Sequence, residues 1–208
     1  MNKKALIVWG GWEGHEPKLI SEILASVLKN KNFDVTLSNT LDSFLDEEKL
    51  RTYDLIIPNW TMGNINQQQL KPLLAVVKDG VGIAGLHGGM GDAFRNEPEY
   101  QYMIGGQWVA HPGNDGVAYT VHIVDKDHPI TRGIDDFSVT SEQYYMHVDP
   151  AINVLATTNF DNIVMPVVWI KAYGRGKVFY CSLGHTASIV KIPQVLMLMT
   201  NGMVWAAR

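Results

Sequence analysis

The chain has 208 residues, 46% hydrophobic and 18% charged, with a formal net charge of −4. That is enough for one substantial domain, residues 1–208, and no linker, repeat or low-complexity tract calls for a second. The acidic balance and the scattered lysines and arginines argue against nucleic acid as a partner, and no apolar run approaches the length that spans a bilayer.

The single cysteine, Cys181, cannot make an internal disulfide, which fits a reducing compartment. The first apolar run stops at Trp9 and Gly10, short of a secretory segment. A soluble, cytoplasmic protein is the expectation.

Ala5 to Trp9 reads as a buried strand that ends in glycines. Pro17 to Lys29 carries Leu19, Ile20, Ile23, Leu24, Val27 and Leu28 at helical spacing. Phe33–Leu37 and Asp54–Pro58 read as further strands. A helix over about Asn66–Lys78 has an asparagine N-cap and Gly80 just beyond its end. Val81–Leu86 is apolar without alternation, as suits a central parallel strand covered on both faces. Strands separated by helices imply an open, doubly wound α/β sheet with helices on both faces.

Beyond Leu86 the texture changes. Residues 90–116, rich in Gly, Pro and aromatics, read as a short helix and an excursion over the strand ends. Val117–Val124 alternates like an antiparallel or edge strand. Val164–Ala172 and Lys177–Leu183, joined by Tyr173-Gly174-Arg175-Gly176, read as a β-hairpin near the C-terminus. Ile189–Trp205 reads as one closing helix.

Ligands of doubly wound sheets sit beyond the carboxyl ends of the strands. Those positions hold Trp12, Glu13 and His15 after the first strand, His87 in Gly85-Leu86-His87-Gly88-Gly89 after the fourth, and His185 after the hairpin. Three of seven histidines thus lie at strand ends that this fold brings together. The Gly-x-His-x-Gly turn predicts a strained, exposed pose for His87 of the kind that presents a nucleophile; histidine there can act as acid, base or metal ligand. His111 lies in the segment expected to cover the site. His128, in Asp-His-Pro, reads as turn chemistry, and Cys181 as a small buried hydrophobe. The stretch Ser141-Glu142-Gln143-Tyr144-Tyr145-Met146-His147-Val148-Asp149-Pro150 offers Glu142 as an acid/base or orienting group. It equally fits a surface strand and turn.

Taken together, GGWEGHEP, GLHGG with Phe94, GGQWVAHPG, DHPITRGI, SEQYYMHVDP and GKVFYCSLGH resemble, in order and spacing, the ThuA-like (trehalose utilisation) family of the class I glutamine amidotransferase-like superfamily. The resemblance implies a flavodoxin-like, mostly parallel sheet in which His87 replaces the cysteine nucleophile and His185 stands at the triad histidine. Gly184-His185-Thr186-Ala187 lacks the His-Pro-Glu of amidotransferases, so glutamine hydrolysis is not expected. Ser141 stands where many relatives carry Asp, which leaves the role of that acid untransferred. The family is associated with carbohydrate catabolism, and the superfamily implies a homodimer.

Three readings follow. The first is a hydrolase or isomerase acting on a sugar or keto-sugar, with His87 and His185 as acid/base groups, Glu142 assisting, and Trp12, His15, His111 and Tyr144 binding substrate. In the second, a divalent metal such as zinc, manganese or iron is held by ligands drawn from His15, His87, His111, His147 and His185 with Glu142. In the third, a non-catalytic carbohydrate-binding or regulatory module stacks sugars on Trp12, Trp60, Trp108, Tyr144 and Tyr145.

Overall fold

The structure, a computed structural model, describes residues 2–208. In chain order it contains β1 (Lys3–Gly11), α1 (Pro17–Lys29), β2 (Phe33–Ser38), α2 (Glu47–Leu50), β3 (Leu55–Thr61), α3 (Gln67–Lys78), β4 (Gly82–Leu86), α4 (His87–Gly91) and α5 (Pro98–Ile104). There follow β5 (Gly106–Ala110), β6 (Val117–Ile123), β7 (Phe137–Ser141), β8 (Tyr145–Val148), β9 (Asn153–Phe160), β10 (Ile163–Tyr173), β11 (Gly176–Cys181), α6 (Ala187–Val190) and α7 (Pro193–Ala206).

Nine strands form one sheet in the order β2-β1-β3-β4-β11-β10-β9-β6-β7. From β2 to β11 every pairing is parallel; from β11 outward through β10, β9, β6 and β7 every pairing is antiparallel. The α/β class holds, and the predicted hairpin is β10–β11. The antiparallel wing is larger than the sequence suggested: β7 alternates cleanly but is only five residues long, and β9 alternates weakly. Strands β5 and β8 make a separate two-stranded sheet beside it.

Alternation along β1 shows why both faces must be covered. Ala5 and Ile7 enter one core with Ile20, Leu24 and Leu28 of α1 and Leu198, Met199 and Met203 of α7. Leu6 and Val8 enter the other with Leu70, Leu73, Val76 and Val77 of α3 and Tyr100, Met103 and Ile104 of α5. Strand β4 is buried at all five positions. The asparagine cap of α3 is Asn66, in a reciprocal capping box with Gln69, and Gly80 follows that helix at φ 122°.

The expected closing helix is two helices. Pro193 lacks the N–H that a continuous helix would use and instead occupies the first turn of α7. The stretch 141–150 is no plain surface strand. Lys171 Nζ, buried, bonds Asp149 at 2.8 Å, and Trp169 Nε1 donates to Ile104 O at 2.9 Å. Together they pin this arm and α5 against β10, and at Glu142 itself the Tyr119 hydroxyl donates to its carbonyl at 2.9 Å while Gln143 Nε2 donates to Thr158 Oγ1 at 3.1 Å and Asn159 O at 2.8 Å.

Candidate metal centre

The site lies at the carboxyl ends of the parallel strands. Its central residue is His87, which opens α4 directly after β4 with a left-handed φ of 42°. The strain expected of an elbow is present, but the exposure is not: His87 is 1% exposed. Tyr144 stacks on its ring at 4.1 Å between centroids, and the His15 ring packs edge-on at 4.7 Å. The glycines allow this crowding. A Cβ on Gly88 would lie 2.6 Å from His15 Cε1, and one on Gly89 would lie 2.2 Å from Asn59 Oδ1.

Four elements supply the donors. His15 comes from the short turn after β1, His87 from the elbow, Glu142 from the loop after β7, and His185 from the loop after β11. Glu142 Oε2 stands 3.0 Å from His87 Nε2, 3.4 Å from His185 Nδ1 and 3.9 Å from His15 Nε2. One ligand atom from each of the four residues lies within 4.8 Å of all the others. Donors around a tetrahedral cation bound at ~2.0–2.2 Å stand about 3.3–3.6 Å apart, so the widest pair would close by about an ångström.

Protonation sharpens this. His87 Nδ1 lies 2.8 Å from Ser182 O, and a carbonyl only accepts, so Nδ1 carries the proton. Complete burial pushes the His87 pKa down, against the opposing effects of Glu142 and Ser182. The ring therefore turns Nε2 toward the Glu142 carboxylate at 3.0 Å, where either a shared proton or a cation would join the two. Burial, reinforced by His87 and His185, also pushes His15 down to about 3, and its Nδ1 shares a 2.8 Å bond with Thr61 Oγ1. Both imidazoles thus present one nitrogen to the centre while the other is held by a carbonyl or hydroxyl, the outer-shell arrangement typical of metal-bound histidine.

Glu142 is ionised. Burial works to raise its pKa, and His185 and His87 more than offset this, holding it below the usual carboxylate range. The same carboxylate raises the His185 pKa. The buried side-chain nitrogens without a hydrogen-bond partner among the described residues are His185 Nδ1, His111 Nδ1 and Trp108 Nε1. All three are at this site, where a ligand could satisfy them.

A cavity of about 190 Å³ opens beside the cluster, lined by Trp12, His15, Thr61, Met62, Asp92, Arg95, Trp108, His111 and Tyr144. It is smaller than the ~300–1,000 Å³ of drug-sized pockets and suits one small ring. Trp12, 46% exposed, stands at its mouth edge-on to His15.

The structure therefore gathers His15, His87, His185 and Glu142 at one point and brings Trp12, His111 and Tyr144 to the adjoining cavity. His111 stands outside the four-atom cluster, with Nδ1 3.8 Å from the other oxygen of Glu142, and Glu142, also expected, stands within it. His147 is not part of the site but exposed on β8, with its ring beside Tyr145. His128 accepts from the Ile130 N–H in a turn, and Cys181 is fully buried, both as expected. Trp60 packs against Gly10 and Gly63, and Tyr145 packs against Phe160; neither lines the cavity. Sequence reasoning missed Thr61, Met62, Asp92 and Arg95. Thr61 ends β3, so the strand-end rule reaches it once the strand is extended by three residues. The others carry no local signal.

A family model, ThuA, described as trehalose utilisation, matches residues 4–206. Among solved structures, a ThuA-like protein from Parabacteroides merdae superposes with a TM-score of 0.81 at 20% identity, covering 99% of this chain and 90% of its own. One from Bacteroides uniformis does so with 0.81 at 19%, covering 98% and 91%. A cytoplasmic protein from Salmonella typhimurium LT2 follows at 0.75 and 14%, covering 99% and 100%. No curated protein matches the chain. No helix among the described residues is long and apolar enough to cross a membrane.

Proposed function

The chain belongs to the ThuA, trehalose utilisation, family, and from that premise we propose that it is an enzyme acting on a sugar or keto-sugar through a divalent cation held by His15, His87, Glu142 and His185. The family supports a carbohydrate-related role. The observation that carries the rest is the convergence of three imidazole nitrogens and one ionised carboxylate on a buried point beside a cavity. Nitrogen donors with one carboxylate suit zinc, manganese or iron. When bound, such a cation would polarise a carbonyl oxygen of the substrate.

The remaining roles belong to this chain's own groups. Trp12 and Tyr144 flank the cavity and hold the ring by its apolar face. His111, 30% exposed at the side chain and outside the ligand cluster, moves the proton between substrate and the free side of Glu142. Burial keeps His87 and His15 neutral, so their lone pairs stay available near neutral pH.

The test is metal analysis of protein purified without a histidine tag, combined with turnover of 3-keto-disaccharides before and after chelation. We expect near-stoichiometric metal, and activity lost on chelation and restored by manganese or zinc. His185→Ala should lose the metal, whereas His111→Ala should keep the metal and lose turnover. Full activity with substoichiometric metal would sink the proposal.

A further inference from the structure

The far wall of the cavity carries a polar pair that the metal centre does not use. Arg95 Nε and Nη2 donate to the two oxygens of Asp92 at 2.5 and 2.8 Å, a bidentate fork. The guanidinium lies over Trp108, 4.6 Å from the ring centroid. Asp92 is fixed by its backbone: its N–H donates to Gly88 O, and its carbonyl accepts from Met62 N–H. Its side chain is 6% exposed, against 48% for Arg95. Both residues line the same cavity as Trp12, His15 and Tyr144.

We propose that the Asp92–Arg95 fork, laid on Trp108, is a saccharide-reading subsite that selects an uncharged sugar ring through two adjacent hydroxyl groups. This rests on the sugar reading above and not on the metal. An ionised carboxylate has acceptor sites left after a bidentate fork, and a guanidinium has N–H groups left over. Acceptor and donor then stand side by side, rigidly, and vicinal hydroxyls, each able to donate and accept, match that pattern. The exposed indole of Trp12 covers the C–H surface of the ring.

The fork also sets what is refused. Arg95 is the one arginine lining this cavity, and no lysine lines it. Its charge is already matched by Asp92. A phosphate or carboxylate seated on this wall would meet the Asp92 carboxylate with no free lysine or arginine side chain to pair it, so desolvating that anion there would go uncompensated. Sugar phosphates and sugar acids are therefore disfavoured at this wall by electrostatics.

The experiment is calorimetric titration of the whole protein with trehalose, 3-ketotrehalose, trehalose 6-phosphate and glucuronate, with metal content and melting temperature measured on the same samples. Wild type should bind at least one neutral sugar about tenfold or more tighter than either anion, as a site built for hydroxyl hydrogen bonds discriminates. Asp92→Asn should weaken the neutral sugar about tenfold and, by freeing the Arg95 charge, strengthen the anions, a gain that mere loss of structure does not produce. Arg95→Lys, at a half-exposed position, keeps the charge without the fork and should weaken the neutral sugar while leaving the fold intact. The proposal is overturned if wild type binds no sugar, if trehalose 6-phosphate binds as tightly as the neutral sugars, or if both variants bind them like wild type. Metal-free protein that still shows these effects would leave the subsite standing whatever turnover says of the metal.

Discussion

Gly88→Ala probes the packing on which the site depends. A Cβ at this position would stand 2.6 Å from His15 Cε1, 2.8 Å from His15 Nδ1 and 3.0 Å from Thr61 Cγ2. The His15 ring is wedged between Trp12, His87 and His185, so it must shift and stretch its 2.8 Å bond to Thr61. Overpacking of this kind costs about 1–3 kcal/mol, and the strained hydrogen bond adds about 1. The better helix propensity of alanine returns about 1. A net loss of about 1–3 kcal/mol in a chain of this length lowers Tm by roughly 2–12 °C. Because His15 carries both an outer-shell bond and a ligand nitrogen, metal affinity should fall by about 10–100-fold. Urea unfolding followed by circular dichroism gives the first quantity and cobalt(II) titration by visible absorbance the second. Gly116→Ala, where a Cβ meets nothing within 4 Å, is the control. Wild-type stability and cobalt affinity in Gly88→Ala would refute the geometry claimed for His15.

Metal-free protein should lose stability as pH falls from 6 to 4.5. His15, with its pKa lowered from 6.5 to about 3, and His87, also lowered, bind protons in the unfolded chain but not in the fold. His15 contributes up to about 1.4 kcal/mol per pH unit, and His87 acts in the same direction. His185, whose pKa is raised, is largely protonated in both states over this window, and Glu142, whose pKa is lowered from 4.5, adds to the same loss at its low end. Unfolding in urea at several pH values should show that slope, reduced in His15→Gln; a flat profile would mean that the rings are not held neutral. Glu16→Ala tests the tie between two loops of the site, since Glu16 Oε2 accepts from the Ala187 N–H at 2.7 Å. The loss should be about 1.5–3 kcal/mol with weaker cobalt binding, partly recovered by Glu16→Gln, and unchanged cobalt binding in Glu16→Ala would deny the tie.

The parts of the site that were legible in the sequence are those set by local rules. Pro17–Lys29 appears with its predicted bounds, because a helix whose apolar stripe repeats at 3.6 residues has one way to bury it. His15, His87 and His185 were reachable because each closely follows a β-strand and parallel strands end together. Glu142 was less so. It hangs from the antiparallel wing, and its loop is held by Tyr119 on Glu142 O and by Gln143 on Thr158 and Asn159, contacts between residues far apart in the chain. Asp92 and Arg95 show the same limit: a carboxylate and a guanidinium three residues apart read as an ordinary helix-end ion pair, and only the closure of Trp108 over them makes a wall.

The exposure of His87 is where local and tertiary rules part. The strand–turn–helix glycines did produce the left-handed residue they predict, yet such an elbow serves a nucleophile only if its side chain is open to substrate. Here Tyr144 and His15 close over the ring. Burial lowers the imidazole pKa, and Ser182 fixes the proton on Nδ1, so what remains for chemistry is one lone pair aimed at Glu142. A lone pair beside a carboxylate cannot attack a substrate it does not touch, but it can bind a cation. On the function proposed above, the strain at φ 42° holds that nitrogen in register with three other donors and leaves the substrate to the cavity beyond His15.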